Sequence, residues 1–229
     1  MARSSLHIAA SLLMLSLCAY VPATHAQSGT LARIVVIQPK PGQAAAFEAG
    51  YQRHVEWHRK NGDSWRWYGW TFVLGHRLGQ FMDGTFGHTS ADLDAAIKPA
   101  EDRADNAVNV TPYADFVSHG VYVRRESASR GDPLPDTSAM LVLEPYEVAP
   151  GQEGAFEKAL VQSTKLAGIA RYTCYKLRIG GSRSEYLVMR GATSFGNAAS
   201  LPAIEIPPDI VVRATSELLR FQPALSYEP

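Results

Sequence analysis

The sequence repeats a short motif, and this repeat constrains the fold more than any other feature. Residues 41–48 read Pro-Gly-Gln-Ala-Ala-Ala-Phe-Glu, and residues 150–157 read Pro-Gly-Gln-Glu-Gly-Ala-Phe-Glu. A short apolar run precedes each copy, at residues 34–37 and 140–143. Self-similarity within a chain of 229 residues predicts two copies of one small domain. Positions that agree between the copies are expected to serve the fold, whereas positions that differ are candidates for function.

Both copies predict the same order of elements: strand, helix, strand, strand, helical region, strand. The spacing of apolar residues predicts helices over 43–60 and 152–167. We also predict helical structure over 209–220, after a segment at 201–208 whose three prolines break the second helical region. The β-α-β-β-α-β order predicts an α+β fold made of two tandem ferredoxin-like units.

The segment between the two copies differs from both in composition. Residues 126–138 are rich in Pro, Gly, Ser and Asp and have no apolar period, which is typical of a linker. The predicted domains are therefore a first unit at 27–125 and a second unit at 139–229.

The repeated motif also resembles a known group of proteins. An apolar strand followed by Pro-Gly-x-x-x-x-Phe-Glu, which opens an amphipathic helix, resembles the dimeric α/β-barrel superfamily over nearly the whole chain beyond residue 26. That superfamily includes antibiotic-biosynthesis-type monooxygenases, NIPSNAP-like proteins and relatives of chlorite dismutase. The resemblance implies that two ferredoxin-like units pack sheet to sheet as an α/β barrel, here as a fused pair. It leaves homo-oligomerisation open.

Residues 1–26 have the composition of a signal peptide. Arg3 supplies a positive start, residues 8–17 are apolar, and cleavage is expected near Ala26. The apolar stretch is shorter than the roughly 20 residues that span a bilayer, and we predict no membrane span elsewhere. We therefore predict export, to the periplasm or the medium. Cys18 leaves a lipoprotein as the less favoured alternative, since the residue before it is not small.

The charge of the chain argues against a nucleic-acid partner. Lys and Arg together number 22, as do Asp and Glu, and no long run of one sign occurs. A nucleic-acid-binding protein needs a basic face for the phosphate backbone. Cys174 is the single cysteine beyond the predicted leader, so an intramolecular disulfide is excluded and a buried, inert thiol is expected.

Aromatic and imidazole side chains distinguish the two copies. All four Trp residues, and every His beyond the leader, fall in the first copy. Phe47 aligns with Phe156, but His54 aligns with Ser163 and His58 with Ala167. These Trp and His residues could simply fill the core of the first copy, but we favour the hypothesis that they line a ligand pocket. The predicted ligand-binding residues are Tyr51, His54, His58, Trp65, Trp67, Trp70 and His88.

His54 and His58 lie one helical turn apart, a spacing that suits two ligands of one metal. A third ligand would have to come from His88 or Asp83. The chlorite-dismutase relatives also imply haem, with His54, His58 or His88 as the axial ligand, but no motif selects one. We predict neither a metal nor another cofactor.

Three functions remain in competition. The resemblance implies a cofactor-independent, monooxygenase-like enzyme that acts on an apolar or aromatic molecule. A non-catalytic ligand-binding or sensor module is the first alternative, and a haem- or metal-binding barrel is the second. The sequence identifies no catalytic residue, so it leaves open whether the protein is an enzyme.

Overall fold

A computed structural model describes residues 29–229 of the chain, and the predicted leader lies outside the described residues. The described part forms five α-helices and nine β-strands. The helices are α1 (Ala44–Lys60), α2 (Ser90–Asp94), α3 (Pro99–Asn109), α4 (Glu153–Leu166) and α5 (Phe195–Ala199). The strands are β1 (Leu31–Pro39), β2 (Tyr68–Leu74), β3 (Phe81–His88), β4 (Ala114–Arg124), β5 (Met140–Val148), β6 (Thr173–Ile179), β7 (Glu185–Ala192), β8 (Val211–Ala214) and β9 (Glu217–Phe221).

Eight of these strands close into an antiparallel barrel. Their order around the ring is β1-β3-β2-β9-β5-β7-β6-β4, and β4 returns to β1. The short strand β8 extends beside the end of β5, outside the ring. Closure pairs the edges that an open sheet would expose.

The two halves of the chain follow the same path through this barrel. The first half contributes the order β4-β1-β3-β2, and the second half contributes β9-β5-β7-β6. The halves join where β2 pairs with β9 and where β4 pairs with β6. The fold is therefore α+β with a closed antiparallel barrel, as the sequence predicts.

The interior of the barrel is a packed core. Side chains alternate along each strand, so Ile34 and Val36 point inward while Val35 and Ile37 contact the helices outside. Leu134, from the segment between the halves, also enters the interior and is 1% exposed. This core is filled, and two cavities that could hold a ligand lie on the outer face of the barrel.

The repeated motif builds the same corner in both halves. Gly42 and Gly151 have φ angles of 73° and 80°, a left-handed conformation that glycine adopts without steric cost. The following helix, α1 or α4, lies on the outer face of its half. Phe47 and Phe156 are 2% and 0% exposed there, which confirms their prediction as equivalent core residues.

The helix predicted over 209–220 is wrong. This segment forms β8 and β9, both of which pair with β5. The run from Ile210 to Val212 is β-branched and suits a strand, and Leu219 fills the barrel interior. The pairing of this segment with β5 outweighs its helical spacing of apolar residues. Strand β9 completes the ring of eight strands, because it pairs with both β2 and β5.

The proline-rich segment before β8 lacks a helix over 201–208, as predicted. Among residues 29–229, no helix has the length and apolar character needed to cross a membrane.

Candidate functional site

The seven predicted site residues lie on two sides of the barrel wall. Trp70 points into the interior, where it is fully buried and stacks on Tyr68. The other six lie on the outer face, under or beside α1. Trp70 therefore belongs to the barrel core, and a single pocket cannot contain all seven. That the outer-face group binds a ligand stays a prediction.

His54 and His58 project from α1 toward the barrel, and each is 6% exposed. Their Nε2 atoms face each other at 3.2 Å. The Nδ1 atom of His54 lies 2.8 Å from Asp105 on α3, and the Nδ1 atom of His58 lies 2.7 Å from Asp63. A carboxylate accepts the Nδ1 proton of each ring, so both Nε2 atoms direct lone pairs into the space between the rings.

Asp63 is held in place by several donors. Its carboxylate accepts hydrogen bonds from the Trp65 backbone N–H and from Trp67 Nε1, each at 3.0 Å. Burial raises its pKa, but the hydrogen bonds from His58 and the two tryptophans outweigh burial and keep the pKa below the usual value. The carboxylate is thus charged and fixes the tautomer of His58.

Asp102 on α3 is the carboxylate nearest to both Nε2 atoms. Its Oδ1 atom lies 3.5 Å from His54 Nε2 and 3.9 Å from His58 Nε2. Asn106 donates to Asp102 Oδ1 at 3.1 Å and also lies 3.2 Å from His54 Nε2. We call His54, His58 and Asp102 the histidine cluster.

The third ligand considered from sequence was His88 or Asp83, and both have other partners. His88 Nε2 hydrogen-bonds to Thr85 Oγ1 at 2.5 Å, and Asp83 Oδ2 accepts from the Tyr51 hydroxyl at 2.5 Å. Asp102 takes that position instead. The sequence signal that was missed is the spacing of Asp102, Asp105 and Asn106, which puts all three on one helix face.

A small cavity adjoins the histidine cluster. Its volume is about 50 Å³, and Arg33, Tyr51 and Asp83 help to line it. Burial raises the pKa of Asp83 to about 6, although the Tyr51 hydrogen bond opposes this. Its Oδ1 atom has no hydrogen-bond partner within residues 29–229. The space suits a water molecule or an ion and is too small for an aromatic ligand.

The second half holds a much larger cavity, of about 660 Å³, which we call the second-half cavity. It lies between the outer face of β5 and β7 and the covering segment 195–218. The covering segment contributes an apolar wall that includes Phe195, Leu201, Ile204 and Ile206. Ligand sites for small molecules commonly have a volume in this range and combine apolar walls with a few polar groups.

A buried ion pair forms the polar floor of the second-half cavity. Arg190 and Glu144 are 5% and 7% exposed and lie 2.9 Å apart. Arg190 also donates to the Pro202 carbonyl at 2.6 Å. Burial raises the pKa of Glu144, and the neighbouring Arg190 opposes this rise.

Two polar atoms of this pair remain without a partner within the described chain: Glu144 Oε2 and Arg190 Nε. Buried polar atoms are nearly always hydrogen-bonded. Both of these atoms are enclosed in the cavity wall, so the ligand would contact the other atoms of the pair. The comparison of the two copies in the sequence missed this site, because it relied on Trp and His, which the second half lacks.

Haem with an axial histidine does not fit the described residues. The cavity beside His54 and His58 has a volume of only about 50 Å³. The second-half cavity is larger, but no histidine lines it. His88, the third axial candidate, is 5% exposed and bonded to Thr85.

Solved structures share this architecture. A proposed monooxygenase from Fusobacterium nucleatum subsp. nucleatum superposes with a TM-score of 0.59 at 6% identity, covering 85% of this chain and 93% of that one. A chlorite dismutase from Candidatus Nitrospira defluvii, in complex with imidazole, gives a TM-score of 0.57 at 9% identity, with coverage of 87% and 93%. An anthrone oxidase-like protein gives 0.54 at 9% identity, with coverage of 86% and 93%.

No protein-family model matches the sequence, and no curated protein matches it. Identities of this size carry the fold and no residue roles. The chain therefore has the dimeric α/β-barrel fold that its repeated Pro-Gly motif resembles.

Proposed function

We propose that this protein is an exported barrel that binds a small apolar or aromatic molecule in the second-half cavity. The observation that carries the proposal is the buried Arg190–Glu144 pair, which lines the cavity beside an apolar wall. The names of the proteins that share the fold support a small-molecule site in general.

The ion pair defines the polar group of the ligand. The Arg190 guanidinium has donor protons, and the Glu144 carboxylate has lone pairs, beyond those used in the bond that joins them. A hydroxyl group on the ligand can accept from the first and donate to the second. We therefore expect an apolar or aromatic body that bears a hydroxyl group.

We also propose that the fold consists of two fused units and that the protein is exported. The matching strand orders of the two halves support two fused ferredoxin-like units, at 27–125 and 139–229. The composition of residues 1–26 supports cleavage near Ala26 and export. N-terminal sequencing of exported protein should begin at Gln27; an intact Met1, or a lipid on Cys18, would contradict this.

A ligand screen tests the binding site. 1-Naphthol and naphthalene form a matched pair, and we expect the alcohol to bind roughly tenfold more tightly, because it alone can form a hydrogen bond to the ion pair. The Ala199→Trp variant adds a ring to the cavity lining and should abolish binding. Leu166→Trp is the matched control, since Leu166 is 78% exposed on α4 and should leave binding unchanged.

The outcome is read by calorimetry on the chain without its leader. Equal affinity of the alcohol and the hydrocarbon would reject the role of the ion pair. Binding that survives in Ala199→Trp would reject the cavity. A panel of hydroxylated aromatics in which no member binds would reject the proposed function as a whole.

A monooxygenase-like activity is the second candidate, supported by the proposed monooxygenases that share the fold. It is tested by oxygen consumption with a bound aromatic alcohol. Binding without oxygen uptake would leave the ligand-binding module as the function.

A further inference from the structure

We propose that the histidine cluster is a binding site for one divalent metal ion, preferably Zn²⁺. The ligands are His54 Nε2, His58 Nε2 and Asp102 Oδ1, and the fourth position opens into the cavity of about 50 Å³. This site is separate from the second-half cavity and does not depend on its ligand.

The distances between the three atoms support a metal site. They form a triangle with sides of 3.2, 3.5 and 3.9 Å. A single point therefore lies about 2.1 Å from all three, and Zn²⁺ binds imidazole nitrogen and carboxylate oxygen at this distance.

The tautomers of the two rings provide an independent argument. Each Nδ1 atom donates its proton to a carboxylate, Asp105 for His54 and Asp63 for His58. Both Nε2 atoms are then acceptors that face each other at 3.2 Å, and the Asn106 amide lies 3.2 Å from His54 Nε2. Two lone pairs at this separation repel unless a cation or a shared proton lies between them.

The surrounding carboxylates match the second shell of a metal. Ligating histidines usually donate the other ring N–H to a carboxylate, which orients the ring and raises its basicity. Asp63 and Asp105 hold these positions, and Asp102 is itself held by Asn106. Three carboxylates surround the two rings, and Arg33 lines the adjoining cavity, so the acidic side chains outnumber the cationic one and a divalent cation would balance them.

The geometry favours Zn²⁺ over octahedral ions. Neighbouring ligands of an octahedral ion lie about 3.0 Å apart, whereas those of tetrahedral Zn²⁺ lie about 3.4 Å apart. The separations in the cluster are 3.2–3.9 Å. Three protein ligands with an open fourth position are typical of zinc sites that bind water or substrate, not of closed structural sites.

Metal titration of the chain without a polyhistidine tag tests the proposal. Chelator-treated protein should take up one Zn²⁺ per chain, measured by elemental analysis after desalting. Co²⁺ should give the visible bands of a tetrahedral complex, which a loosely adsorbed ion does not give.

Three variants and one control assign the ligands. Asp102→Asn keeps the shape of the ligand and should weaken Zn²⁺ binding strongly. The pair His54→Ser with His58→Ala copies the second half and should abolish binding. Asp105→Asn should weaken binding roughly 10–100-fold by releasing His54. The control is His76→Ala, because His76 is exposed in the turn between β2 and β3.

The outcomes separate metal from a shared proton. Loss of metal in Asp102→Asn, with the circular dichroism spectrum and the His76→Ala affinity unchanged, supports the site. If the unsubstituted protein retains no Zn²⁺, or if Asp102→Asn binds it equally well, the site is rejected and a proton shared between the rings explains their approach. If the double variant fails to fold, Asp102→Asn still decides the question.

Discussion

The two halves of the barrel share a framework and differ in what covers it. Each half has the same strand order and one long helix on its outer face. In the first half, α3 packs beside α1 and brings Asp102, Asp105 and Asn106 onto its histidines. In the second half, prolines interrupt the corresponding segment, and the second-half cavity remains open beneath it. The covering segment, more than the framework, thus decides what kind of site each half can hold.

Equivalent positions show the same contrast at atomic scale. Ser163 occupies the position of His54 and accepts a hydrogen bond from the Glu205 backbone N–H at 2.8 Å. His54 instead contacts the side chains of Asp105 and Asn106. The short Ser163 side chain thus anchors the loop that contains Glu205, whereas the His54 imidazole joins a network of polar and charged side chains.

The largest expected effect tests whether the frameworks are equivalent. Phe47→Ala and Phe156→Ala should each cost roughly 3–5 kcal/mol of unfolding free energy, since both rings are fully buried beneath a helix. Urea denaturation of the chain without its leader measures both costs. A cost below about 1 kcal/mol for either variant would show that the halves do not rely on the same anchor.

A smaller effect of opposite sign, a gain in stability, is expected when Asp83 is replaced, because within residues 29–229 this buried carboxyl has no cation partner at hydrogen-bond distance. Its folded pKa of about 6 exceeds the usual 3.8, so its contribution to stability is fully present below pH 3.8 and is lost as pH rises through 6. Asp83→Asn removes this loss. Relative to the parent protein, the variant should gain about 3 kcal/mol at pH 8 and about half of that at pH 5.

Tyr51→Phe is the matched control for Asp83, because it removes the hydroxyl that donates to the carboxylate. It should destabilise the protein by about 1–3 kcal/mol at pH 8. A gain for Asp83→Asn that is equal at pH 5 and pH 8 would contradict the ionisation argument, even if the variant is more stable.

Glu144→Gln should lower stability, in contrast to Asp83→Asn. Glu144 pairs with Arg190, so its neutralisation leaves a buried guanidinium without its counter-ion. The open cavity beside the pair allows hydration, and we therefore expect a loss of about 2 kcal/mol, below that for enclosed pairs. Stabilisation by Glu144→Gln would show that the pair is not maintained in solution.

The smallest effect concerns the cover of the second-half cavity. Ala199→Trp should change stability by less than about 1 kcal/mol, because Ala199 is exposed and the cavity can receive the ring. A loss of several kcal/mol in the free energy of unfolding, measured by urea denaturation, would show that the cavity in solution is too small to receive the Trp ring.

The sequence could predict the parts of this molecule that depend on local patterns. The Pro-Gly corner requires a left-handed glycine, and the Phe that follows one turn later marks the buried helix face, so both copies were visible. Strands β8 and β9 were not predictable in the same way, because their pairing with β5 is a long-range contact. Likewise, Asp102 reaches His54 only through the packing of α3 on α1. The three prolines of 201–208 predict the interrupted helix in the second half, but the cavity beneath it depends on the packing of segments that are distant in the sequence.

The contact between Tyr227 and Asp63 has a consequence for the order of folding. The Tyr227 hydroxyl donates to the Asp63 backbone carbonyl at 2.8 Å, across 164 residues of sequence, and the backbones of Tyr227 and Trp67 exchange two hydrogen bonds. The residues that support the histidine cluster in the first half are therefore held by the last residues of the second half. Contacts of such long range form late, since the intervening chain must be ordered first. A first half synthesised alone would lack this support, and we expect the cluster to assemble only after the barrel has closed.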